Sequence, residues 1–115
     1  MSESRRHYLF VCAANINRSP TAAEVFRKMA ARNGLEVEVS SAGISPFSAR
    51  PVTRAMADQA DLIFVMEDYM AWELETKHGQ DSAKIICLNI PDIYDLDDPA
   101  LVRILKRELA PYARR

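Results

Sequence analysis

The sequence predicts one α/β domain spanning residues 1–115, a three-layer fold in which helices flank a four-stranded parallel sheet. Three observations lead there. Strand-like apolar runs alternate with helix-like periodicity along the whole chain. The inner run Asp61-Leu-Ile-Phe-Val-Met66 is too continuously apolar for a strand with one wet face. Neither repeats, linkers nor low-complexity segments interrupt the alternation, and 115 residues suit a single modest core. Strands joined through helices imply right-handed crossovers and parallel pairing.

Each element has its own signal. His7-Tyr-Leu-Phe-Val11 is apolar and rich in strand formers. Thr21 to Arg32 carries helical spacing; Pro20 suits a first helical turn, and Asn33-Gly34 closes the helix. Leu35 to Ser41 reads as the second strand. Gly43 to Pro51 reads as a loop from its prolines, glycine and serines, and Val52 to Gln59 as a short helix. Asp61 to Met66 is the third strand. Asp68 to His78 suits a helix stopped by Gly79, Lys84 to Leu88 is the fourth strand, and Pro99 to Leu109 the last helix.

Composition narrows the class without naming an activity. Apolar residues make up 49% and the formal net charge is −1, as in ordinary globular proteins, so charge gives no reason to expect nucleic-acid binding. No apolar run is long enough to span a membrane, and no signal-peptide pattern precedes Tyr8. His7 and His78 lack partners at ligand spacing, so no metal and no cofactor is expected. With only two cysteines and a candidate reactive thiol, the expected location is cytoplasmic.

The most informative segment is Cys12-Ala-Ala-Asn-Ile-Asn-Arg18-Ser19, set between the first strand and the first helix. A loop that ends at a helix N-terminus offers free N–H groups and the positive end of the helix dipole to an anion. The same field favours a thiolate. A nucleophile, an anion cradle and a guanidinium this close together point to chemistry on a phosphate monoester. The competing reading makes Cys12 a small buried hydrophobe at a strand end. The strand-loop-helix setting favours the functional one. In an open parallel sheet, ligands bind beyond the carboxyl ends of the strands. Cys12 ends the first strand there, and Asp92 closely follows the fourth.

Val11-Cys-Ala-Ala-Asn-Ile-Asn-Arg-Ser-Pro-Thr-Ala-Ala-Glu-Val-Phe26 resembles the phosphate loop and first helix of the low-molecular-weight protein tyrosine phosphatases. Ser41-Ala-Gly-Ile-Ser-Pro-Phe47 is similar to that family's second-strand signature and following aromatic, and Ile90-Pro-Asp92 to the start of its acid loop. The resemblance runs in order from about residue 7 to the last helix. The chain is shorter than a typical member, the missing length falling between Phe47 and Asp61, and it is most similar to a compact, largely bacterial branch.

The resemblance implies metal-independent phosphomonoester hydrolysis through a phosphocysteine on Cys12. Backbone N–H groups of Ala13, Ala14, Asn15, Ile16, Asn17 and Arg18 would hold the phosphate oxygens, with the Arg18 fork on two of them. Ser19 would donate to the departing thiolate, or simply cap the helix ahead of Pro20. Asn15 matches a loop asparagine that braces a left-handed turn, whereas Ala14 replaces the usual glycine.

Asp92 is the expected general acid, with Asp95 in reserve. Asp98-Pro99 is assigned to capping the last helix. Phe47 and Tyr94 are candidate walls of the substrate pocket, with core packing the competing reading for Phe47. Tyr69, Met70 and Trp72 read as amphipathic-helix residues. Asn17 stands where many members carry a second cysteine, so the loop holds no resolving thiol. Cys87, on a strand read as buried, is expected to be core. The lack of a suitable cysteine pair argues against an arsenate reductase on this fold.

A phosphate-binding module without turnover is the alternative from another functional class. The expected partner is a phosphorylated substrate, a phosphotyrosine protein or a small aryl phosphate, met by a monomer.

Overall fold

The computed structural model describes residues 5–114. Four strands, β1 (Arg6–Cys12), β2 (Val37–Gly43), β3 (Leu62–Val65) and β4 (Ile85–Cys87), form one parallel sheet in the order β2-β1-β3-β4. Helices α1 (Arg18–Arg32), α2 (Arg54–Gln59), α3 (Asp68–Lys77) and α4 (Pro99–Leu109) follow the strands in turn. Short 3-10 turns at Ser82–Lys84 and Ala110–Tyr112, not expected from the sequence, lead into β4 and extend α4. Among the described residues, no helix is long and apolar enough to cross a membrane.

The alternation of side chains along β1 decides where Cys12 points. Tyr8, Phe10 and Cys12 share one face of the strand. That face meets Phe26 of α1 and Phe64 of β3: Phe10 stacks on Phe64 at 4.8 Å between centroids, and Tyr8 lies 5.3 Å from Phe26. Tyr112, after α4, closes the cluster edge-on to Phe64 at 5.0 Å. The same alternation therefore carries the Cys12 thiol toward the start of α1. Leu9 and Val11 are buried as well, so β1 is central and covered on both faces.

Most boundaries shift by one to three residues from expectation, and three of the shifts have a clear local reason. β2 begins at Val37 rather than Leu35, because the Leu35 N–H is taken by the Ala30 carbonyl at 2.8 Å where α1 ends, with Gly34 in the left-handed region at φ 72°. The short helix begins at Arg54 rather than Val52, since Thr53 caps it by accepting from the Met56 N–H at 3.1 Å. β4 is a three-residue edge strand and half-buried throughout. Cys87 therefore packs against the core but is only partly buried, because edge position leaves one side of its strand without a neighbour. The last helix runs Pro99–Leu109 as predicted, and Asp98 caps it by accepting from the Ala100 N–H at 2.8 Å.

Candidate active site

β1 has a neighbour on each side, β2 and β3, so the loop after it emerges where the strand order reverses. Three N–H groups from the segment after β2 clasp this loop: Ile44 donates to the Cys12 carbonyl at 2.8 Å, Ser45 to Ala13 at 3.0 Å and Ala49 to Ala14 at 3.3 Å. In a trans peptide, the carbonyl and the next N–H point in opposite directions. Fixing the carbonyls of residues 12, 13 and 14 outward thus turns the N–H groups of Ala13, Ala14 and Asn15 inward. The last of these reaches the Cys12 sulfur at 3.2 Å. A row of inward N–H groups is an anion-binding concavity.

The close approach depends on Gly43. A Cβ there would lie 2.4 Å from Ser48 Cβ and 3.0 Å from the Ala13 carbonyl oxygen. Asn15 adopts φ 57°, a left-handed conformation that asparagine tolerates better than most residues, and this turns the loop back toward α1. A cavity of about 100 Å³ results, lined by Cys12, Ala13, Ala14, Ile16, Asn17, Arg18 and Asp92.

Beneath the thiol, Ser19 Oγ is 3.0 Å from Cys12 Sγ and donates to Asn15 Oδ1 at 2.8 Å. The Ser19 hydroxyl has one proton. If the Asn15 amide is turned over, its nitrogen donates to Ser19 and frees that proton for a thiolate. A thiolate, as the stronger acceptor, would select this second arrangement. Ser19 is fully buried inside the first turn of α1, and Asn17 occupies the capping position, so the reading of Ser19 as the helix cap is corrected. The helix starts at Arg18 rather than Thr21, with Pro20 inside its first turn as expected, where a missing N–H costs no intrahelical bond.

Arg18 is 1% exposed. Its Nη1 donates to Glu67 Oε1 at 2.9 Å and to the Ile90 carbonyl at 2.6 Å, which fixes the guanidinium plane. Its Nε is buried with no hydrogen-bond partner among the described residues, and Asp92 Oδ1 stands 3.6 Å from it. A buried donor left open beside an anion-sized cavity is a costly arrangement for a purely structural arginine.

The remaining predicted residues divide. Asp92 lines the cavity and keeps its side chain 64% exposed. Asp98 is the cap described above, and the Asp97 N–H is tied to Thr21 Oγ1 of α1 at 3.0 Å. Phe47 is 93% exposed, which excludes core packing, but it is not among the residues lining the cavity. Tyr94 is not among them either; it is half-buried and packs against the hydrophobic core. Of the three helix residues, Met70 is buried, whereas Tyr69 and Trp72 are exposed. Glu67 and the Ile90 carbonyl were not foreseen. The signal for Glu67 lay in its position immediately beyond the third strand, at the edge of the sheet that bears Cys12.

The family model for low molecular weight phosphotyrosine protein phosphatase matches residues 7–48, the stretch that supplies most of β1, the loop, α1, β2 and two of the three clasp donors, Ile44 and Ser45. Over that stretch the chain is similar to the family. It is 27% identical to a probable low molecular weight protein-tyrosine-phosphatase, EpsP, of Ralstonia solanacearum over 79% of this chain and 76% of that one. It is 28% identical to a protein-arginine-phosphatase of Bacillus subtilis over 70% and 68% of the two chains. The fold is shared with the tyrosine phosphatase Wzb of Escherichia coli K30, solved with phosphate: TM-score 0.78 and 20% identity, over 96% of this chain and 97% of that one. Between Phe47 and β3 the chain forms the short α2.

Proposed function

We propose that this protein hydrolyses phosphate monoesters without a metal, as a cysteine-dependent protein tyrosine phosphatase. The reading rests above all on the clasp, which turns the N–H groups of Ala13 to Asn15 toward the Cys12 thiol and the open Arg18 Nε. The Cys12 thiolate attacks phosphorus; the S–P bond forms as the bond to the leaving oxygen breaks, and Asp92 gives that oxygen its proton. Loop N–H groups and Arg18 meet the charge on the equatorial oxygens. Water then attacks the phosphocysteine and loses a proton to the Asp92 carboxylate. Phosphate leaves, and Ser19 donates to the returning thiolate. Asp95 is the reserve acid. Every group in this scheme comes from one copy of the chain, so a monomer suffices, and the thiolate suits the reducing cytoplasm.

Hydrolysis of para-nitrophenyl phosphate between pH 5 and 8, with a chelator present, tests the scheme. Turnover is expected in the wild type and absent in Cys12→Ser. A loss of about 100-fold or more is expected in Asp92→Asn. A well-folded wild type that binds vanadate and turns nothing over would overturn catalysis in favour of phosphate recognition. An arsenate reductase would need a second thiol to receive a disulfide. Among the described residues the other thiol is Cys87, which burial and the nearby Asp68 and Glu67 push away from the reactive thiolate form, against the opposing effect of Asn89.

A further inference from the structure

Among the described residues, six large apolar side chains stand exposed: Ile16, Phe47, Tyr69, Trp72, Ile93 and Leu96. Each lies on the segment that follows the carboxyl end of a strand. Ile16 follows β1 and Phe47 follows β2; Tyr69 and Trp72 lie near the start of α3 after β3, and Ile93 and Leu96 follow β4. Since all four strands are parallel, these segments share the edge of the sheet where the Cys12 cavity opens. Single exposed apolar residues need no explanation, but their confinement to one edge marks a binding surface.

The charge at this edge says what that surface accepts. Glu67, Asp68, Asp92 and Asp95 follow β3 and β4 and outnumber the exposed Arg50 after β2, whereas Arg18 is buried beneath them. Burial and, next, Glu67 push the Tyr69 phenol up while Arg18 opposes the shift, as expected for a ring beside this acidic rim. A bare phosphate dianion approaches such a rim against repulsion. A phosphoryl group carried on a chain with neighbouring cations does not.

We propose that this rim docks phosphorylated protein segments in which apolar and basic residues flank the phosphorylated residue, with the Tyr69–Trp72 face of α3 as its platform. The proposal rests on the phosphatase reading for the role of the cavity. Exposure and charge support the docking surface separately. Continuity settles the occupant, because whatever carries the phosphoryl group into the Cys12 cavity must lie across its rim.

Trp72 is the sole tryptophan of the chain, so its fluorescence reports docking without any need for turnover. Two phosphotyrosine peptides of equal length are titrated, one flanked by leucine and lysine, the other by serine and glutamate. The first is expected to shift the emission saturably and to bind at least about tenfold tighter, with the advantage shrinking as salt rises. In Trp72→Ala, the ratio of kcat/KM for the first peptide to that for para-nitrophenyl phosphate is expected to fall about tenfold, the usual scale for losing an aromatic anchor. Equal affinities, a preference for the acidic peptide, or an unchanged ratio would overturn the proposal. If no substrate is turned over, the phosphatase reading fails and the fluorescence titration still decides docking.

Discussion

Replacing Gly43 by alanine tests whether the clasp aims the phosphate cradle. The new Cβ would meet Ser48 Cβ at 2.4 Å, Ser48 Oγ at 2.6 Å and the Ala13 carbonyl oxygen at 3.0 Å. The first two distances cannot persist, so the segment carrying Ser45, Ser48 and Ala49 must move away from the loop. Overpacking of this kind costs about 1–3 kcal/mol. Each of the three clasp bonds that is lost adds about 1 kcal/mol. A net loss of about 2–4 kcal/mol follows, because movement that relieves the clash also lengthens those bonds. At this chain length each kcal/mol lowers Tm by about 3–6 °C, so a fall of about 6–24 °C is expected by thermal melting.

Activity should suffer beyond stability. If the carbonyls of Cys12 and Ala13 are no longer held outward, the N–H groups behind them swing out of the cavity. Loss of one such donor typically costs about 100- to 1,000-fold in rate. The assay is kcat/KM for an aryl phosphate well below the melting transition, so that unfolding does not contribute. A second variant makes the inference specific: Ser48→Gly in the Gly43→Ala background removes both sub-3 Å side-chain clashes and should recover most of the activity. The Ala13 contact, being backbone, remains and limits the recovery. Full activity in Gly43→Ala alone, or no recovery in the pair, would refute the idea that the clasp sets the cradle.

Asp98→Ala removes a helix cap and should lower stability by about 1 kcal/mol while leaving the pH profile of turnover unaltered, as read by denaturant melts and kinetics together. Ser19→Ala takes away the hydroxyl that lies 3.0 Å from the thiol. The second chemical step should then slow more than the first, and phosphoenzyme should accumulate in a rapid-quench experiment. Because burial and nearby carboxylates raise the Cys87 pKa, its thiol stays protonated to higher pH. Its alkylation at pH 8 should therefore be slower than that of a free cysteine, as measured by mass spectrometry of its peptide.

What the sequence made legible was whatever a short segment carries by itself. Cys12, Asn15, Arg18 and Ser19 lie within one loop and one helical turn, and they meet in the structure as their spacing suggested. Pro99 to Leu109 was legible for the same reason, since its cap, its proline and its apolar stripe are all local. The misreadings fell where a distant partner decides. Cys87 looked buried because an apolar run does not reveal that its strand is at the sheet edge. Tyr94 was read only as a pocket wall because nothing local says that it also packs against the core. Glu67 carried no motif, and only the pairing of β3 with β1 brings it to Arg18.

The strand order explains why the site nevertheless assembles around the one legible loop. With β1 between β2 and β3, and β4 beyond β3, the loop after β1 is reached from both sides. The segment after β2 holds the outer carbonyls, Glu67 after β3 holds Arg18, and the segment after β4 brings the Ile90 carbonyl and Asp92. A nucleophile at the end of an edge strand would have such support on one side only. At the end of β1, each face of the cavity has a supplier, and the donors are oriented before any anion arrives. Such preorganisation lets fixed N–H groups act on developing charge without reorganising at the moment of reaction. It also explains why a chain of 115 residues can hold the arrangement: the support comes from the first residues after each strand.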